Sequence, residues 1–198
     1  GSSRGIGQAI AVAFAAGGAT VVGAARSTQE ETAQLCRDAG GTFEGRPFDA
    51  AGANAASVAD WVDQVLAAHG RIDVLVNNAG TIRRAPAAAY PEADWNEVIH
   101  TNLTAPFLLS QAVGRWWIDA GRSKAGETDR LKIVNIASLL SFQGGVFVPA
   151  YTAAKHGLAG VTRALANEWA RERVNVNAVA PGYIATENTR ALRSEEHT

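Results

Sequence analysis

The stretch Ser138-Leu-Leu-Ser-Phe-Gln-Gly-Gly-Val-Phe-Val-Pro-Ala-Tyr-Thr-Ala-Ala-Lys155 constrains the fold of this chain more than any other. It follows Leu131 to Ala137, a short apolar run that suits a buried strand. It leads into a helical pattern from Tyr151 to about Arg171. Tyr151 and Lys155 stand four apart, so on a helix they share one face with Cβ atoms roughly 5–6 Å apart. Ser138 sits where the strand runs out. In an open α/β sheet ligands bind beyond the carboxyl ends of the strands, so these three polar side chains can converge on one crevice.

Such a set suits a hydride moving between a carbinol carbon and a nicotinamide, matched by a proton moving on the oxygen. A phenol can carry that proton, although its ordinary pKa is about 10 and bringing it near neutrality takes about 3 units, or roughly 4 kcal/mol. One cation at about 4 Å, in an effective dielectric near 20, supplies roughly that much. Lys155 is placed to be the cation that favours phenolate, and Ser138 to hold the substrate oxygen against Tyr151. A tyrosine and a lysine four apart on a helix are common by themselves. The other motifs of the chain give the pair its meaning.

The chain has 198 residues, enough for one domain with a sizeable core, and 47% of them are hydrophobic. A formal net charge of -1 gives no electrostatic case for nucleic acid or an anionic membrane. The single cysteine, Cys36, excludes an internal disulfide framework and points to a reducing, cytoplasmic setting, with Cys36 itself an ordinary helix residue. No apolar run reaches the roughly 18 residues that span a bilayer, and a chain that opens on a glycine loop shows no signal peptide. Both ends look cut. A strand is expected before Gly1, and the final residues, Arg193 to Thr198, are read as a non-native tail. A single dinucleotide-binding domain is expected over 1–192.

Gly1-Ser-Ser-Arg-Gly-Ile-Gly7 runs into an Ala-rich helical pattern, and Thr20 to Ala25 then reads as a strand. Glycines let the backbone approach a pyrophosphate, whose charge the helix N-terminus favours. The end of the following strand carries the ribose-reading residue of such folds. Here it is Ala25, followed by Arg26, with Arg4 inside the glycine loop. Two arginines and no carboxylate favour NADP(H) over NAD(H), unless Arg26 is a solvated loop residue. Glu30 to Ala39 is amphipathic and Thr42 to Phe48 a poorly patterned strand. Asp49 after it could accept from an adenine amino group or cap the next helix, Ser57 to His69.

Ile72 to Gly80 is a strand and a polar turn, in which Asn77, Ala79 and Gly80 either pass close to a ribose or, for Asn77, tie neighbouring strands together. Thr81 to Pro86 is a loop at the carboxyl edge, on the substrate side. Arg83 and Arg84 could hold a carboxylate through paired hydrogen bonds, with Gln143 adding a donor. Alternatively one arginine points to solvent and the other pairs with Glu92 or Asp94. Asp94 to Ala120 holds two or more helical segments, with Pro106 at a bend or start. Asn102, among apolar neighbours, must find partners. It could hold a water that relays protons from Lys155, or only satisfy backbone groups. Trp116 and Trp117 suit packing, Gly121 to Arg130 is a polar loop, and His156 faces outward. Val174 to Ala180 is another strand. After it, Pro181 and Gly182 turn the chain toward Ile184 and Thr186, and Thr186 could bond a nicotinamide amide.

Together Gly1-x-x-x-Gly5-x-Gly7, Asn77-Asn-Ala-Gly80, Asn102, Ser138, Tyr151-x-x-x-Lys155 and Pro181-Gly182 resemble the short-chain dehydrogenase/reductase family over nearly the whole chain. The resemblance implies a doubly wound parallel α/β sheet, Rossmann-like, with helices on both faces and here lacking its first and last strands. It implies a catalytic set of Asn102, Ser138, Tyr151 and Lys155. It implies cofactor contacts from Gly1, Ser3, Arg4, Gly5, Ile6, Gly7, Arg26, Asp49, Asn77, Ala79, Gly80, Tyr151, Lys155, Pro181, Gly182, Ile184 and Thr186, and no metal. Gly80 to Arg84, Ser141 to Gly145, Ala166 to Trp169 and Ala180 to Thr186 are similar to the branch of that family acting on keto-deoxy sugar acids. Substrate contacts would then come from Arg83, Arg84, Ser138, Gln143 and Tyr151. The family implies a homo-oligomer, dimer or tetramer. The rival expectations are a 3-oxoacyl-carrier-protein reductase and, for this stretch of chain alone, a nucleotide-binding protein without turnover.

Overall fold

The computed structural model describes residues 1–122, 129–182 and 184. Thr186, the tail from 193 and residues 123–128 of the polar loop lie outside them. The chain divides into two compact units. Both are α/β units built on parallel strands, as the alternating patterns predict.

The first unit takes in Gly1–Ala50 and Asn78–Gly80. Its elements are α1 (Gly5–Ala16), β1 (Thr20–Ala25), α2 (Glu30–Asp38) and β2 (Thr42–Pro47). The strands pair in parallel from Thr20 opposite Thr42 to Ala25 opposite Pro47. Ala11, Ala15 and Cys36 form the buried core, with Val12, Val21 and Phe43 against them. The thiol is therefore the core residue its position suggests. Small side chains on α1 allow close approach. A Cβ at Gly41 would lie 2.4 Å from the Ala15 carbonyl oxygen, well inside contact distance.

The second unit takes in Ala51–Asn77 and Thr81–Gly182. It contains α3 (Ala55–His69), β3 (Val74–Asn77), α4 (Glu92–Ile99), α5 (Ala105–Asp119), β4 (Leu131–Ile136), α6 (Pro149–Glu168) and β5 (Val174–Val179). The strands lie in the order β3-β4-β5, all parallel. β4, at the centre, places Leu131 and Ile133 in the core with no exposed surface.

Three boundaries differ from the sequence expectation, each for a local reason. α3 starts before Ser57 because Asn54 caps it: its Oδ1 accepts from Ala56 and Ser57 N–H groups, both at 3.0 Å. Asp49 is not that cap. α6 starts at Pro149, whose missing N–H costs nothing in a first turn. Between α4 and α5 the helix widens into a π-turn, His100–Thr104, a feature with no composition signature and one that often marks functional sites.

Trp117 is fully buried and its indole N–H donates to the Glu172 carbonyl at 2.9 Å. Trp116 meets Arg122, whose guanidinium carbon lies 5.0 Å from the ring centre. Both are packing residues here. Among the described residues no helix is long and apolar enough to cross a membrane.

Candidate active site

β4 ends at Ile136, and Ser138 begins a short 3₁₀ turn, Leu139–Ser141. The Ser138 hydroxyl oxygen accepts from the Leu140 N–H at 3.2 Å. The Tyr151 phenol lies near enough to this hydroxyl for Ser138 to act against the rise that burial gives its pKa. Ser141, which sequence reading did not single out, locks the turn to α6 by donating to the Lys155 carbonyl at 2.8 Å. Its signal was present as the reciprocal serine spacing Ser138-x-x-Ser141, a capping-box variant.

Lys155 is buried in α6 on the same face as Tyr151. Its ammonium donates to the Ile136 carbonyl at 2.6 Å and lies 5.5 Å from the Tyr151 ring centre, within cation–π reach. Ser138, Tyr151 and Lys155 thus converge, as their spacing predicts. The electrostatics differ from the sequence expectation. Burial pushes the Lys155 amine down to about 8. Burial also pushes the Tyr151 phenol up, with the hydrogen bond from Ser138 acting in the opposite direction. The lysine charge is turned toward a backbone carbonyl rather than spent on the phenol alone.

Asn102 lies in the π-turn with no exposed surface. Its amide nitrogen donates to the Thr81 and Val98 carbonyls, both at 2.8 Å, and its oxygen accepts from the Thr81 N–H at 3.3 Å. Both amide hydrogens are used, so the side chain satisfies backbone groups and holds the loop after β3.

The two loop arginines separate. Arg83 is ion-paired with Glu97 at 2.9 Å and Asp94 at 3.9 Å, and its guanidinium also donates to Thr81 Oγ1 at 3.2 Å. It braces its own loop, and Asp94 is one of the acids expected as its alternative partner. Arg84 and Gln143 are exposed. The Asn77 amide donates to Asn135 at 2.8 Å and to Ser110 at 3.1 Å, and Asn135 in turn donates to Thr162 at 2.9 Å. This buried chain ties β3 and β4 to α5 and α6. Asn77 is therefore a structural residue, the alternative its sequence position left open.

A family model for short chain dehydrogenases matches residues 1–197. A 2-dehydro-3-deoxy-D-gluconate 5-dehydrogenase of Bacillus subtilis (strain 168) is 45% identical over 197 residues, 99% of this chain and 73% of that protein. The chain belongs to the short-chain dehydrogenase family. Its members use a nicotinamide cofactor to act on CH–OH groups, and the chain is an oxidoreductase of that kind with a small-molecule substrate. Among solved structures, a proposed 2-deoxy-D-gluconate 3-dehydrogenase from Agrobacterium tumefaciens with bound NADP is 47% identical with a TM-score of 0.84, covering 100% of this chain and 74% of that one. A gluconate 5-dehydrogenase from Burkholderia cenocepacia, in complex with NADP and tartrate, is 37% identical with a TM-score of 0.85, covering 98% and 72%.

The first unit of this short-chain dehydrogenase fits a dinucleotide. α1 begins at Gly5, which has φ 58, a left-handed conformation that favours glycine. Arg4 precedes it without a side-chain cap, and no acidic residue sits in the first turn. The free N–H groups and the helix dipole therefore suit a phosphate. Gly7 is buried, and a Cβ there would lie 1.9 Å from the Gly1 carbonyl oxygen and 2.4 Å from the Asn78 amide nitrogen. Asn78 donates that nitrogen to the same Gly1 oxygen at 2.9 Å. Sequence reading singled out Asn77, Ala79 and Gly80 but passed over Asn78. Alternation along a strand end turns neighbouring side chains to opposite sides, which separates the two asparagines. Arg26 Nε lies 3.8 Å from Asp49, both well exposed.

Proposed function

We propose that this short-chain dehydrogenase interconverts a secondary alcohol and a ketone on a keto-deoxy sugar acid, such as 2-dehydro-3-deoxy-D-gluconate, with NADP(H) preferred over NAD(H). The convergence of Ser138, Tyr151 and Lys155 beyond β4 carries the reading. The bound cofactor would accept or supply the hydride. Tyr151 would pass the proton to or from the substrate oxygen, and Ser138 would donate to that oxygen. Lys155 would hold positive charge against the phenol and keep the end of β4 fixed through the Ile136 carbonyl. Gly1, Ser3, Arg4, Gly5, Ile6 and Gly7 would cradle the diphosphate, and Arg26 the 2′-phosphate. The Arg26–Asp49 pair is exposed and long, so it is worth only about 0–1 kcal/mol and yields to a phosphate at small cost. Ala79, Gly80 and Ile184 of the first unit, and Pro181 and Gly182 of the second, remain proposed cofactor contacts. A cytoplasmic homo-oligomer fits this reading.

A substrate panel tests it. Keto-sugar acids, their uncharged analogues and 3-oxoacyl thioesters would be compared with both cofactors. The expected result is the highest kcat/KM for a keto-sugar acid with NADP(H). Best turnover on a thioester would replace this reading with the acyl-reductase one. Because Arg83 is committed to Glu97 and Asp94, Arg84 is the arginine proposed to hold the carboxylate. Arg84→Lys should lose roughly tenfold in kcat/KM on the acid, about 1.4 kcal/mol, because the forked donor geometry is gone. The neutral analogue should be little affected, and equal losses on both would remove Arg84 from the site.

Cofactor choice has its own test. Ala25 ends β1, where a carboxylate would accept from a free 2′-hydroxyl and repel a 2′-phosphate. Ala25→Asp should reverse the order of the two dissociation constants measured by titration. An unmodified protein that binds NAD(H) more tightly would refute the NADP(H) preference.

A further inference from the structure

We infer that Gln29 is a positioning residue for the cofactor loop, acting through Ser2. This rests on the reading of the first unit as the dinucleotide cradle. Gln29 is the residue before α2, and its side chain is buried rather than used as a cap. Its amide nitrogen donates to the Gly23 carbonyl at 3.2 Å and the Arg46 carbonyl at 3.3 Å. Its oxygen accepts from the Ser2 hydroxyl at 2.5 Å. Two carbonyl partners require the nitrogen on that side, so the orientation of the amide is fixed by chemistry.

The sheet is built to receive this side chain. Gly23 and Gly45 face each other across the parallel ladder. A Cβ at Gly23 would lie 2.3 Å from the Phe43 ring and 2.5 Å from the Gln29 oxygen, and one at Gly45 would lie 3.3 Å from the Gln29 Cβ and nitrogen. Glycines inside strands weaken them and mark places where another group approaches closely. Here the group is an amide that fastens a loop. Ser2 belongs to the glycine loop, and Gln29 closes the turn that begins at Arg26. A second tie runs beside the first, with Ser27 donating to Ser3 at 3.0 Å. A third comes from Thr32, which donates to the Ser2 carbonyl at 2.8 Å. The diphosphate loop and the ribose turn are thereby held at one separation, which NADP(H) needs when its diphosphate and the 2′-phosphate on its adenosine ribose bind at once. None of these groups touches the reacting atoms, so their effect belongs in cofactor affinity rather than in the chemical step.

The experiment compares the unmodified chain with Gln29→Met, Ser2→Ala and the double variant, reading NADP(H) dissociation constants, cofactor KM, kcat at saturating cofactor and thermal melting. Methionine keeps the volume over the two glycines and deletes all three hydrogen bonds. Gln29→Met should raise cofactor KM and Kd about tenfold while kcat stays within about twofold, consistent with two buried carbonyls losing their donor. Ser2→Ala should raise them about threefold, and the double variant should be no worse than Gln29→Met. A loss in kcat equal to the loss in kcat/KM, multiplicative effects in the double variant, or unchanged Kd in Ser2→Ala would each overturn the inference. Ser2→Ala removes only a hydroxyl at the loop, so it decides the matter even if Gln29→Met fails to melt cooperatively. An unmodified chain that binds neither cofactor would instead refute the dinucleotide reading beneath it.

Discussion

Tyr151→Phe is expected to lower turnover by about 10³-fold while leaving the NADP(H) dissociation constant within a factor of about two, the range in which positioned acid–base groups act. The substitution deletes one oxygen from a half-buried ring and leaves the ring itself in place beside Lys155. Ser138 would keep its bond from Leu140, so the turn at the end of β4 should hold its shape. Burial disfavours phenolate at this position, so the free protein keeps the phenol protonated at neutral pH. The charge that lowers its pKa must come from Lys155 or from a bound oxidised nicotinamide, which carries a positive charge of its own. The check is a single-turnover measurement alongside a cofactor titration. Near-normal turnover in Tyr151→Phe would remove Tyr151 as proton carrier and with it the proposed mechanism.

Gly7→Ala should abolish cofactor binding, raising the dissociation constant by at least about 10²-fold, the loss that a 1 Å misplacement in a binding site can bring. The new methyl would meet a backbone carbonyl at 1.9 Å and the Asn78 amide at 2.4 Å. The amide could rotate away, but the carbonyl belongs to the loop itself. Relief requires moving Gly1, and Gly1 is held by Asn78 and by its own bond to the Ala24 carbonyl. Either the loop shifts away from its phosphate-binding path or α1 shifts off the sheet. Gly17→Ala serves as the comparison. A Cβ there would come no closer than 3.4 Å to the Phe14 carbonyl oxygen, at the edge of ordinary contact, and binding should survive. Undiminished NADP(H) affinity in Gly7→Ala would show that the loop is not the phosphate cradle.

Much of this was legible in the residues. A phenol and an amine four apart on a helix share a face whatever the helix packs against, and a strand ahead of that helix must deliver its last residue to the same end of the sheet. The convergence of Ser138, Tyr151 and Lys155 follows from those two periodicities. So does the run of parallel strands, because each apolar segment is followed by a helical one long enough to cross back over the sheet. Even β2, with weak alternation, forms where the crossover rule asks for it.

The tertiary structure decided what each polar side chain does. Sequence placed Arg83 and Arg84 together on a loop. Only packing brings Asp94 and Glu97, in the first and second turns of the next helix, against Arg83 and leaves Arg84 exposed. Adjacent asparagines could not be ranked from composition, but the strand end turns Asn77 into the buried network and Asn78 onto the glycine loop. Asn102 could have held water or backbone, and the π-turn, which no residue pattern announces, aims it at Thr81. Gln29 is singled out by no sequence pattern, and its role comes from the two glycines paired beneath it. The physical reason is common to all four. Periodicity determines which way a backbone runs and which face a residue takes, because that depends on neighbours in the chain. The deciding hydrogen-bond and ion-pair partners lie mostly in other elements of the chain, and which of them a side chain meets is settled only when strands pair in register and helices pack.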